Sequence, residues 1–290
     1  MAIFKTGVVI LNYKTHDLTV QLANCIAAYP SVDHVCVVDN CSGDYFIQDD
    51  FQSDKIVYFT SDYNGGYSYG NNIGLRYLCE ELGCDYLFIA NPDVLVTEDC
   101  FTSVCKYFNE HPDVALCAPC RYGFGNSLIH QYFDFPTIGS ALKSCFFLTR
   151  RLFEKERRQL QNSRVSHEEA FRVDAVPGAF FGARSDFLKM IGYMPADIFM
   201  YGEEIVLGKQ AQLAGYTSAI VCASRYVHNH EMKRFSDVKA FINDHKSLEL
   251  YFERFDIGSK LGRVVLHACT VFGCIEYRTM SAIAGFLKRV

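Results

Sequence analysis

The sequence is short of basic charge: 28 Lys and Arg face 33 Asp and Glu, giving a net charge of −5 over 290 residues. A general nucleic-acid binder shows the opposite balance, so no nucleic-acid partner is expected. No apolar run reaches the roughly 18 residues that a membrane-spanning helix needs. No secretory signal is visible, because Met1-Ala2-Ile3-Phe4-Lys5 leads straight into a strand-like run. A cytoplasmic location is therefore expected. The Gly-x-Gly-x-x-Gly fingerprint is missing, and so is any Walker sequence, which disfavours an NAD-linked oxidoreductase. Among the 13 cysteines, Cys117-Ala118-Pro119-Cys120 is a lone Cys-x-x-Cys with no second pair at zinc-site spacing. Without an export signal the thiols read as reduced and mostly buried, forming neither a zinc site nor disulfides.

What is present points to a globular α/β chain, 50% hydrophobic and 21% charged, of one large domain or one domain with an appendage. Short β-rich runs alternate with helical spacing. Residues 7–13, 34–38, 56–60, 85–90 and 114–118 read as strands, and residues 15–28, 70–82 and 97–109 as helices. That alternation implies a parallel, doubly wound sheet. Polar residues close three of the strands: Asn12, Asp39, and Asn91 with Asp93. In such sheets ligands bind at the carboxyl ends of the strands.

The run Asp85-Tyr86-Leu87-Phe88-Ile89-Ala90-Asn91-Pro92-Asp93 is the sharpest of these. Pro92 cannot donate to a sheet ladder, so the strand stops there and leaves Asp93 at its end. A carboxylate so placed can bind a divalent cation, and the cation can hold a diphosphate. The competing reading is a plain loop turn beside a helix cap at Thr97.

Residues 121–172 have a different texture, aromatic at first (Tyr122, Phe124, Tyr132, Phe133, Phe135) and then strongly charged from Arg150 to Arg158. They read as a variable, mobile insert with a helical piece at 142–160, set beside the pocket or projecting as a solvated hairpin. Residues 176–183 suggest another buried strand. Phe199-Met200-Tyr201-Gly202-Glu203-Glu204 then opens a helix that runs to Leu213 and closes at Gly215. Adjacent acids at a helix start most often only complement the helix dipole.

In their order and spacing these pieces resemble the family 2 glycosyltransferases of the GT-A fold, in particular the rhamnosyltransferase-like branch of bacterial surface-polysaccharide synthesis. The likeness runs from about Val8 to His228. It is carried by Val9-Ile10-Leu11-Asn12-Tyr13, by Val37-Val38-Asp39-Asn40 with Ser42 and Asp44, and by Asn64, Gly66, Tyr67, Gly70, Asn71, Asn72 and Gly74. Asn91-Pro92-Asp93, Gly178-Ala179, the Glu203-Glu204 segment, Ala214-Gly215-Tyr216 and Val227-His228 complete it.

The resemblance implies a GT-A, Rossmann-like, mostly parallel sheet flanked by helices over 1–235, with a helical C-terminal appendage over 236–290. It implies an inverting enzyme that moves a sugar from a nucleotide-diphosphate donor, dTDP-rhamnose or a UDP-sugar, to a hydroxyl of a glycan acceptor, free or lipid-linked. Tyr13 and Asp39 would contact the donor base, by stacking and by accepting its ring N–H, and Asn72 would line the nucleotide side. Asn91 and Asp93 stand for the family's Asp-x-Asp element, with Asp93 holding Mg or Mn. His228 falls where a histidine approaches the metal or diphosphate. Glu203 and Glu204 stand for the Glu-Asp pair, with Glu204 as general base.

Several positions depart from the family pattern: only one acid of the Asp-x-Asp element is present, Glu204 stands for the Asp of the Glu-Asp pair, Val206 and Gln210 replace an Asp and an Arg of the helix, and Pro195 replaces an Asp before the Phe-Met-Tyr run. They keep open an alternative, a catalytically impaired module that binds sugar nucleotide or glycan.

In the tail, Leu261, Val264, Val265, Ala268, Val271, Phe272 and Ile275 recur at helical spacing. Residues 259–290 carry Lys260, Arg263, Arg278, Lys288 and Arg289 against the single acid Glu276. An apolar stripe with cationic flanks can lie in a membrane interface, with Ile283, Phe286 and Leu287 extending it. It can equally pack on the catalytic domain or on a second copy as a homodimer.

Overall fold

The β-branched run Thr6–Asn12 (β1) is buried almost throughout, as a strand covered on both faces must be. The computed structural model describes residues 4–123, 125, 127–229 and 238–287, with side chains as far as residue 282. Phe124, Lys288 and Arg289, and the side chains of Ile283, Phe286 and Leu287, lie outside what it describes.

The strand β1 pairs in parallel with His34–Asp39 (β2) and with Tyr86–Ala90 (β4), and β2 pairs in parallel with Ile56–Thr60 (β3). Asn12 lies opposite Asp39 and Ile10 opposite Ala90, so the polar ends of β1, β2 and β4 share one edge of the sheet. His16–Ala27 (α1) and Tyr67–Arg76 (α2) make the crossovers, α2 continuing as a π-turn over Tyr77–Glu81.

After β4 come Val94–Leu95 (β5), Glu98–Glu110 (α3) and Val114–Tyr122 (β6). Ile138–Ser144 (α4), Phe147–His167 (α5), Ala170–Val173 (β7), Phe180–Arg184 (β8) and Ser185–Ile191 (α6) follow. Glu203–Leu213 (α7), Thr217–His228 (β9), Val238–Arg254 (α8) and Lys260–Leu287 (α9) complete the order. The sheet runs β3-β2-β1-β4-β8-β6-β9-β5, and β7 pairs with β9.

The expected α/β architecture is there, with one refinement. The β8 strand enters between β4 and β6 antiparallel to both, while β6 and β9 are parallel. It starts at Phe180 rather than Val176, because Pro177 has no N–H to give and Gly178 packs against a carboxylate instead. Pro119 lies inside β6, and the register with β9 shifts between Pro119 and Cys120 as a bulge.

The core forms two apolar layers. On one face Phe88, Phe101 and Phe180 meet with ring centroids 4.9–5.7 Å apart. Val9, Val38, Leu87 and Phe181 fill the other. Full burial of each such side chain contributes about 1.5–3 kcal/mol.

The insert makes contacts with the C-terminal helices. Phe147 N–H donates to Glu276 of α9 at 3.1 Å, and the Phe147 ring meets Tyr277 edge-on. A third cluster joins Ala141 and Cys145 of α4 to Val206 of α7, Tyr251 and Phe252 of α8, and Leu266 of α9. The tail therefore docks through Leu266 and Tyr277. The face read from the sequence as its apolar stripe points the other way, with Leu261 73% and Phe272 63% exposed. Among the described residues that stripe does not pack on the chain's own catalytic domain.

Candidate active site

At the ends of β1 and β2 a buried polar network is centred on Asn12. Its amide donates to Asp39 Oδ1 at 2.8 Å, Asp44 Oδ2 at 2.8 Å and Ser42 Oγ at 3.2 Å. Its oxygen accepts from Thr15 N–H, Thr15 Oγ1 and Thr19 Oγ1 at 2.9–3.2 Å. Asn12 thus fixes the loop after β2 to the start of α1. The Asn12 amide also holds the Asp44 carboxyl below its usual range. Asp39 is buried and accepts from the Ser42 N–H and hydroxyl as well. Tyr13, next to Asn12, is 46% exposed, with Lys14 Nζ 5.4 Å from its ring centre. A buried acceptor beside an open aromatic face suits a planar heterocycle.

Asn72 serves the scaffold. Its Nδ2 donates to Met194 O at 2.9 Å and its Oδ1 accepts from Met194 N–H at 3.0 Å. Both ends of the amide therefore join α2 to the loop before α7. A neighbouring contact works the same way. Gly66 has φ 90, and an added Cβ would fall 2.2 Å from Phe199 O, which accepts from Tyr67 N–H at 2.8 Å. Only glycine lets the two backbones approach so closely.

Asn91 N–H donates to Ala179 O at 2.9 Å, tying the end of β4 to the start of β8. Two residues on, Asp93 is partly exposed and its Oδ1 lies 3.2 Å from His228 Nε2. This pair forms because Val94 of β5 is registered opposite His228 of β9. His228 Nδ1 lies 2.5 Å from Nη2 of Arg121. Arg121 follows the bulge in β6, and nothing in the sequence around it marks a site. A cation within an aromatic, charged insert carries no local signal of a site.

The acids of α7 sit beyond two positive-φ residues, Tyr201 (φ 70) and Gly202 (φ 84). Glu204 Oε1 accepts from Gly178 N–H at 3.2 Å, and a Cβ on Gly178 would fall 2.4 Å from that oxygen. Tyr67 OH donates to Gly178 O at 2.5 Å. Proton loss from Tyr67 is opposed first by burial and then by the charges of Glu203, Glu204 and, further down, Asp93. Burial raises the Glu204 carboxyl above its usual range, while the Gly178 N–H and the Arg121 charge pull it back. Glu203 is only 4% exposed, and its Oε2 is buried with no hydrogen-bond partner among the described residues. Burial first, then the Glu204 charge, pushes its carboxyl well above the ordinary range.

The structure thus brings Asn12, Tyr13, Asp39, Asn91, Asp93, His228, Glu203 and Glu204 to one sheet edge, and Asn72 joins α2 to Met194. Val206, where the family has an acid, is buried in the cluster that receives the tail. Among the described residues no three His, Cys, Asp or Glu side chains converge as a metal site. One carboxylate completed by substrate phosphates is, however, a sufficient protein share for a hard cation.

The sequence profile of Glycosyl transferase family 2 matches residues 8–174. A low-salt glycan biosynthesis hexosyltransferase of Haloferax volcanii, Agl10, is 26% identical over 199 residues, 69% of this chain and 59% of that protein's length. The fold is similar to that of Staphylococcus aureus TarS 1–349 solved with UDP-GlcNAc, with a TM-score of 0.57 and 15% identity over 99% of this chain and 76% of that one. GalNAc-T7 solved with UDP, GalNAc and Mn2+ gives a TM-score of 0.58 at 12% identity, over 86% of this chain and 48% of that one. The mannosyltransferase PcManGT of Pyrobaculum calidifontis, solved with GDP-Man and Mn2+, gives 0.55 at 13% identity, over 97% and 75%. The fold is accordingly that of the GT-A glycosyltransferases.

Proposed function

The chain belongs to glycosyl transferase family 2, and from that premise we propose that it is an inverting glycosyltransferase. It moves a hexosyl or deoxyhexosyl group from a nucleotide-diphosphate donor, a UDP-sugar or dTDP-rhamnose, to a hydroxyl of a glycan acceptor in polysaccharide biosynthesis. The observation that carries this reading is Glu204, a half-buried carboxylate held on Gly178 N–H at the sheet edge where Asp93 also ends.

Tyr13 and Asp39 hold the base of the donor. Asp93, with His228 beside it, marks where Mg or Mn would sit, and a bound cation neutralises charge on the departing diphosphate. Glu204 takes the proton from the acceptor hydroxyl as its oxygen bonds to the anomeric carbon and the bond to the diphosphate breaks. A base whose pKa is raised toward the working pH suits that step. The extra methylene of Glu relative to Asp is accommodated because Gly178 leaves its oxygen room. The test is transfer and hydrolysis of UDP-, GDP- and dTDP-sugars with Mg or Mn. Glu204→Gln should lower turnover by about 100-fold or more, and Asp93→Ala should remove its cation dependence. Nucleotide binding by calorimetry with no turnover on any donor would favour the impaired binding module instead.

The outward stripe of α9 supports a second element of the proposal, a lipid-linked acceptor met at the inner face of the cytoplasmic membrane. Among the described residues no helix is long and apolar enough to cross a membrane. An exposed stripe about 21 Å long, at 1.5 Å per residue from Leu261 to Ile275, can lie in the interface. Lys260 and Arg278 flank it, each adding on the order of 1 kcal/mol at an anionic surface. Dimerisation of the full chain through the same stripe, read by sedimentation, is the competing outcome.

A further inference from the structure

The contact between Arg121 and His228 decides how the histidine can behave at the cation site. A guanidinium has five N–H donors and no acceptor. Its Nη2 lies 2.5 Å from His228 Nδ1, so that nitrogen must offer a lone pair. The proton of the neutral ring is then on Nε2, which faces Asp93 Oδ1 at 3.2 Å. A histidine that ligates a metal through one nitrogen ordinarily gives the N–H of the other to a carboxylate, carbonyl or water. Here the other nitrogen faces a group that can accept nothing.

The contact is built into the fold. The register shift at Pro119/Cys120 sets Arg121 opposite Tyr226, two residues from His228 along β9. Buried Gln131 pins the Arg121 backbone on both sides, its Oε1 accepting Arg121 N–H at 2.9 Å and its Nε2 donating to Arg121 O at 2.5 Å. Gln131 is held in turn by buried Gln161 of α5, whose Oε1 accepts Gln131 N–H at 2.9 Å. The insert thus reaches the site through two amides and one guanidinium.

We propose that Arg121 is a positioning residue that keeps His228 out of the cation's coordination shell, leaving Asp93 as the protein ligand of that pair. His228 then acts as an N–H donor that orients the Asp93 carboxylate. The Arg121 charge also repels a cation arriving alone, so the cation enters with a diphosphate that offsets both charges. The inference rests on the proposed function only for the location of the cation.

The test is titration of the full chain with Co2+ alone, which needs no sugar transfer and reports imidazole ligation in its visible absorption. In the wild type, His228→Gln should leave the weak Co2+ affinity unchanged within about twofold. Arg121→Met should tighten it about tenfold or more, with the absorption of a nitrogen ligand. The double variant Arg121→Met/His228→Gln should return most of that gain, a coupling that lost charge repulsion alone does not produce. Arg121→Lys, which keeps a donor and the charge, should behave as wild type. If Arg121→Met does not fold, Arg121→Gln replaces it, since its amide can accept an Nδ1 proton. A wild-type affinity that falls on His228→Gln overturns the proposal. So does an Arg121 variant whose Co2+ binding gains no dependence on His228.

Discussion

At the ends of β1 and β2 the site residues bond to partners a few tens of residues away at most, Asn12 reaching no further than Asp44. Around β6, β8 and β9 they meet across the chain: Arg121 and His228 are 107 residues apart, Tyr67 and Gly178 are 111 apart. The first half is a set of strand ends closed on themselves by short loops, complete once three neighbouring parallel strands have formed. The other half takes its groups from a bulge, an antiparallel strand and a helix start, and exists only when the whole sheet has closed. The first half is therefore expected to govern stability and donor binding, and the second to govern turnover.

The strongest blow to that contrast should come from Asn12→Ala. It strips partners from two carboxylates and four hydroxyl or N–H groups in a buried network, and each stranded group costs about 1–3 kcal/mol. We expect about 3 kcal/mol or more to be lost in urea unfolding, together with nucleotide affinity. A loss within about 1 kcal/mol would mean that the network is not what holds these strand ends.

Gly178→Ala should do the reverse. Its Cβ would displace Glu204 Oε1, and a misplacement of about 1 Å can cost on the order of 100-fold in turnover. Nucleotide affinity should hardly move. Equal damage to affinity and turnover would erase the division between the halves.

The two halves differ in legibility for the same physical reason. Strand ends such as Asp39 and Asp93 announce themselves because a buried apolar run stops at a polar residue within a few positions. Glu203-Glu204 was visible as a helix start, and the family resemblance supplied its role. Arg121 was hidden in the stretch read as a variable insert, since nothing local says that Gln131 and Gln161 are buried or that His228 lies across the sheet. Asn72 matched a family position, yet its amide is spent on Met194. The apolar stripe of α9 was correctly found by periodicity, which cannot say whether such a stripe faces in or out.

Glu203 offers a smaller test within the second half. Its carboxyl is raised by burial, so the native state holds its proton more tightly than the unfolded chain does. Stability should accordingly fall as pH rises from the ordinary Glu range through the raised value. Glu203→Gln should remove that slope, gaining thermal midpoint at neutral pH and little in mild acid. A gain independent of pH would show that Glu203 is not carried protonated.

The smallest effect on the fold should come from the tail. Leu261→Glu with Phe272→Glu alters exposed side chains and should change stability by no more than about 0.5 kcal/mol per site. It should nevertheless release the protein from anionic liposomes. Binding by the wild type should also weaken with salt, as the Debye length falls from about 10 Å at 0.1 M to about 3 Å at 1 M. Equal pelleting of wild type and variant would end the membrane reading.

The most direct test of the account is the pH dependence of kcat/KM for sugar transfer, measured for the wild type and for Glu204→Gln at saturating divalent cation. A base raised by burial must lose its proton before it can act, so wild-type activity should fall on acidification at a pH above the ordinary Glu range. In Glu204→Gln that limb should vanish, leaving a rate lower by about 100-fold or more, with nucleotide affinity intact. An acid limb that persists unchanged in the variant, or a variant that turns over at the wild-type rate, would contradict Glu204 as the base.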